Sequence, residues 1–167
     1  MSMIGEYVRL TPAELDRLIG DEQWADGFVH ELIDTELDEE PEASQARCHD
    51  TDKAWDALRF LLRRAGFPVD IVHGEQSVPW DEDWGYGPPR YLTAARVQEA
   101  ARALTALSPE HLVEGVAPAD LAAADVYPAL VWERGESLDY VAAHYEAVAV
   151  FFQAAARDGH AVLVWLD

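Results

Sequence analysis

With one cysteine, Cys48, among 167 residues, the chain has no partner for an internal disulfide, and burial alone must hold the fold. Long apolar runs are also missing. The most hydrophobic stretch, Ala161 to Leu166, is the size of a strand and falls far below the roughly 18 to 20 residues that a membrane helix needs. The opening MSMIGEYVRL carries neither the basic region nor the long apolar region of an export signal, so a cytoplasmic location is expected. Positive charge is scarcest of all. Twelve basic residues stand against 32 acidic ones, a formal net charge of −20, and Lys53 is the only lysine. Such a surface repels phosphate backbones, which argues against nucleic acid and in favour of a basic protein as partner. The bland alternative is that the charge only keeps the domain in solution.

No residue spacing demands one particular chemistry. Cys48 and His49 are neighbours in sequence, a poor arrangement for a thiol and its base. The run His49 to Asp52 offers metal-ligand types, but no second histidine follows four residues on, and its acids are placed to cap a helix. His73 and Glu75 flank Gly74, a proximity that chance supplies in so acidic a chain. The stretch Gly85 to Pro89 has the glycines of a nucleotide loop but neither GxGxxG nor GK[ST], and its two prolines remove donors that a phosphate would need. No catalytic residue, metal or cofactor is expected.

What the chain does have is patterned helices. After Asp50 or Thr51 as a cap, Trp55, Leu58, Leu61, Leu62 and Ala65 fall on one stripe, and Gly66 and Pro68 stop the helix. Met3 to Leu10 reads as a strand; Thr11, Pro12 and Glu14 then form a capping box for a helix ending near Gly20. A second helix is expected from Glu22 to Thr35, followed by a solvated loop, because six of the nine residues from Asp34 to Glu42 are acidic. Val69 to His73 reads as a short buried strand. The long connection from Gln76 to Pro89 is expected to be ordered by its aromatics. Thr93 caps a helix to Leu107, two short helices follow with Pro109 and Pro118 at their first positions, and an extended segment leads from Val126 to Trp132. A long helix from Glu136 to Asp158 precedes Ala161 to Leu166, a strand buried on both faces.

These elements predict an α/β (or α+β) fold in one domain over 1–167, with a small mixed sheet that contains the N- and C-terminal strands and is packed by several helices. Several segments carry a family resemblance: Met3-Ile4-Gly5, Asp52-Lys53-Ala54-Trp55, Gly85-Tyr86-Gly87-Pro88 with Arg90-Tyr91-Leu92, Asp125-Val126-Tyr127-Pro128 with Trp132, and Phe152-Gln153-Ala154-Ala155. Through them the chain resembles the YfbM-like family of uncharacterised bacterial proteins, a domain of unknown function. The resemblance implies an α/β fold and a bacterial cytoplasmic protein, and it carries over no catalytic residue.

Two functional readings follow. The first is a non-enzymatic binding protein, accessory or immunity-like, whose acidic surface meets a basic partner. The second is a small-molecule site, enzymatic or not, built from Lys53, Trp84, Tyr86, Arg90, Tyr91, Asp125 and Tyr127, with Arg90 as a clamp for a carboxylate. In that reading the Tyr86 bend is pinned against the helix that bears Trp55. Neither reading fixes an oligomeric state.

Overall fold

The computed structural model describes residues 2–167. Strand β1 (Gly5–Leu10) leads into α1 (Pro12–Gly20), and the expected capping box is formed: Thr11 Oγ1 accepts from the Glu14 amide while the Glu14 carboxylate accepts from the Thr11 amide. Helix α2 (Glu22–Glu39) starts on the Asp21 side chain. It runs through most of the acidic segment expected to be a loop. Glutamates and Leu37 are good helix formers, and the helix stops only where Glu40 turns left-handed before Pro41.

Strand β2 (Cys48–Asp50) precedes a 3-10 turn (Asp52–Ala54) and α3 (Trp55–Arg64). Asp50 accepts from the Asp52 amide at the start of that turn, whereas Thr51 is buried and donates its hydroxyl to the Gly5 carbonyl. Trp55 lies in the core at 8% exposure. Val69 to His73 is not a strand. Val69, Ile71 and Val72 are buried as expected, but the Asp70 carboxylate takes the Val72 and His73 amides and folds the segment into turns.

The ordered connection contains β3 (Gln76–Ser77), and β4 (Arg90–Leu92) follows it. Helix α4 (Ala94–Ala106) is capped by Thr93, and α5 (Pro109–Val113) and α6 (Pro118–Ala123) each begin at proline. The segment expected to be extended up to Trp132 instead coils into α7 (Ala129–Glu133), its turn closed by the Pro128 carbonyl. The long α8 (Asp139–Arg157) buries Val141, Tyr145, Val148, Phe152 and Ala155, and β5 (Ala161–Leu166) follows.

The sheet order is β2-β1-β5-β4-β3, with both terminal strands inside it. Every ladder is antiparallel, where a mixed sheet had been expected. The central β5 is flanked by β1 and β4, both running against it, so no parallel crossover arises. Its alternation divides the core in two. Val162 and Val164 join Tyr7 and Leu92 beneath α3, α4 and α8, whereas Ala161, Leu163 and Trp165 join Val8 and Leu10 beneath α1 and α2. Among the described residues no helix is long and apolar enough to cross a membrane.

Candidate functional site

The face beneath α1 and α2 is sealed at one end by Leu15, Leu18, Ala25 and Val29, but at the other end it opens into a groove. Glu6 stands there because it is in phase with Val8 and Leu10 on β1, pointing where an apolar residue would otherwise go. Two adjoining hollows of about 400 and 440 Å³ share Glu6 and Ile33. The first is walled by Trp84 and Trp165, whose rings meet edge to face at 5.3 Å. Asp26, Glu82, Asp83 and Asp167 surround it. The second is bordered by Glu36, Glu40 and Asp50.

Among the described residues no arginine or lysine lines either hollow. The arginines in ion pairs are engaged elsewhere: Arg9 and Arg157 on Asp158, Arg47 on Glu14, Arg59 on Asp56, and Arg96 on Glu75 and Glu99. Burial, helped by the charges of Asp50 and Asp167, pushes the Glu6 carboxyl up to about 7. At the rim, desolvation and then the neighbouring Glu22 and Asp26 raise Glu82 as well. The groove thus concentrates negative charge, and among the described residues the one basic side chain paired with an acid at its lining is His30, whose Nδ1 lies 3.2 Å from Asp26. Cys48 borders it too, but burial and Glu36 push its thiol up to about 12, leaving a protonated group that is no nucleophile at neutral pH. His49 points away to the opposite face, stacked on Phe151 at 5.5 Å. Among the described residues no three His, Cys, Asp or Glu side chains gather as metal ligands.

The seven residues singled out from the sequence are divided by the fold. Trp84 walls the acidic groove. Tyr86 is 47% exposed and hangs on the end of β5 through its amide and the Leu166 carbonyl. The bend is therefore pinned to β5, with its Trp84 in the core opposite to the one that holds Trp55. Arg90 and Tyr91 are successive residues of β4 and point to opposite faces; Arg90 holds the Gly74 carbonyl and Ser77 Oγ, and Tyr91 packs toward the Trp84 side. Tyr127 stacks on Trp55 at 5.7 Å, and its hydroxyl accepts from the Met3 amide. Asp125 is an exposed turn residue with φ of 55°. Lys53 lines a separate hollow beside Trp132 and Tyr140.

Sequence reasoning missed Glu6, Trp165, Asp26 and Asp167. The one local signal was the acid at Glu6 in an otherwise apolar alternation through Val8 and Leu10.

A family model described as a domain of unknown function, DUF1877, matches residues 1–165. Among solved structures, the chain is similar to the crystal structure of YfbM from Escherichia coli, a protein of unknown function. The TM-score is 0.64 at 20% identity, covering 98% of this chain and 99% of that one, a likeness of fold. No curated protein matches the chain.

Proposed function

We propose, on the premise that the chain belongs to the DUF1877 family of domains of unknown function, that it is a non-enzymatic binding protein whose acidic groove receives a cationic side chain of a basic partner. The single observation that carries this reading is Glu6: a half-buried carboxyl held up to about 7 among other acids, in a groove with aromatic walls and, among the described residues, no arginine or lysine in its lining. A guanidinium or ammonium group entering there would relieve the mutual repulsion of Glu6, Asp50 and Asp167, and would meet the faces of Trp84 or Trp165. An accessory or immunity-like role in a bacterial cytoplasm suits this chemistry, since both need recognition and no reaction. The enzymatic reading has less support, because the groove holds no nucleophile and base in mutual reach.

Isothermal titration with an arginine-rich hexapeptide tests the reading. Affinity should fall steeply with rising salt, rise as pH climbs toward 7 and Glu6 gives up its proton, and drop about tenfold in Glu6→Gln. Equal binding by wild type and Glu6→Gln, or binding insensitive to salt, would overturn it.

A further inference from the structure

On the other face of the molecule, a hollow of about 370 Å³ lies between the 3-10 turn and α7, lined by Lys53, Pro128, Val131, Trp132 and Tyr140. Three features set it apart. Lys53, the only lysine of a chain with 32 acids, enters no ion pair among the described residues. Trp132 is 2% exposed, and its indole N–H is buried with no acceptor. The wall opposite is fixed in advance: Tyr140 donates its hydroxyl to Asp52 Oδ2 at 2.5 Å and accepts from the Lys53 amide at 3.3 Å. Asp52 itself is held in the left-handed region at φ of 46°, a conformation that a non-glycine residue keeps only when its surroundings enforce it.

The unpaired ammonium of Lys53 calls for an acceptor, while Pro128, Val131 and the Tyr140 ring offer an apolar enclosure and the buried Trp132 indole lies in the wall as a reporter. Asp52 and Glu136 at the same hollow set the charge that is tolerated. Lys53 is the single cation beside these two carboxylates, and Asp52 already takes the Tyr140 hydroxyl; a monoanion adds one charge to that set and a phosphate dianion adds two, so the monoanion is the better tolerated. We infer that this hollow is a binding site for a small monocarboxylic acid with an apolar body about the size of one ring, its carboxylate on Lys53 and its body against Pro128 and Tyr140. The site shares no lining residue with the acidic groove, and it differs from it in holding a lysine.

The experiment is a titration of the nitrogen-15-labelled protein with phenylacetate, its neutral isostere phenylacetamide, phenyl phosphate and benzylamine. The Trp132 indole resonance is assigned by its loss in Trp132→Phe. Phenylacetate should move the Trp132 indole and Lys53 amide signals saturably, and the amide and the phosphate should bind about tenfold more weakly or worse. Lys53→Met should lose phenylacetate binding with its melting temperature unchanged, because that side chain is only partly buried and unpaired. The assignment is overturned if phenylacetate leaves these signals in place, if phenylacetamide or benzylamine binds as well, or if Lys53→Met binds like the wild type. Since Lys53 does not line the acidic groove, failure here leaves the arginine-peptide result untouched, and the reverse holds as well.

Discussion

Glu6 sits directly opposite Asp50 on the β1–β2 ladder, two acids facing each other on one side of the sheet. Like charges placed this way oppose folding when both are ionised. Burial first, and then the charge of Asp50, make the folded chain bind a proton at Glu6 more readily than the unfolded chain does, with the carboxyl raised from 4.5 to about 7. The sign follows from that. The stability linked to Glu6 is full below about 4.5 and is lost as pH rises through about 7. Glu6→Gln should stabilise the protein at pH 8 by about 1 to 2 kcal/mol, after allowance for solvent screening of a partly exposed group, and should change little at pH 4.5. Urea unfolding at the two pH values checks it; equal effects at both would contradict it.

His49 acts in the opposite sense. Burial holds its imidazole down at about 4 instead of 6.5, and its Nε2 is buried without a partner. Its contribution to stability is present above 6.5 and is lost as pH falls through 4. Between roughly 4.5 and 6.5 it opposes Glu6, so the wild type should show a shallow pH profile across that range. His49→Phe should leave a profile that falls toward alkaline pH, and Glu6→Gln one that falls toward acid, as read by thermal melts across the range.

Gly85 is the fixing point of the aromatic bend. It has φ of 81°, and a Cβ there would come within 2.5 Å of the Leu166 carbonyl oxygen, which is backbone and cannot swing aside. Gly85→Ala should cost about 2 kcal/mol or more, against about 1 kcal/mol for Gly135→Ala, where φ is also positive but the space is open. Paired denaturant midpoints decide it. Loss of the Trp84–Trp165 contact should also red-shift the tryptophan emission of Gly85→Ala alone.

Arg9 is a buried cation, 2% exposed, that ties three segments together. It donates to the Ala46 carbonyl at 2.9 Å, the Gln45 carbonyl at 3.1 Å and Asp158 at 2.7 Å. Arg9→Met should cost about 3 kcal/mol, since the two carbonyls lose their donor. Arg9→Lys should recover only part of that loss, because one ammonium cannot span the same fork of acceptors. Chemical denaturation of both variants tests the order.

Elements whose causes are local could be read from the chain. The Thr11, Pro12 and Glu14 box, the Thr93 cap and the apolar run of β5 each contain their own reasons. Strands β2 and β4 do not. Cys48–Asp50 and Arg90–Leu92 are extended because β1 and β5 lie beside them, and nothing within three residues announces that pairing. The same limit hid the acidic groove. Glu6, Asp26, Trp84 and Trp165 come from four separate segments, and they meet only after β1 pairs with β5 and α2 folds across the sheet. Lys53 was legible as an oddity of composition, but its neighbours Trp132 and Tyr140 were not, because α7 and α8 deliver them from far along the chain.

Because β5 supplies side chains to both cores, neither layer has an interior of its own once that strand is gone. Its partner β1 lies about 150 positions away in sequence, so the ladder between them closes only by spanning nearly the whole chain. The two layers should therefore melt as one event. In native-state hydrogen exchange, the amides from Val162 to Trp165 should be released only with complete unfolding, at the same free energy as the slowest amides of α3 and α8.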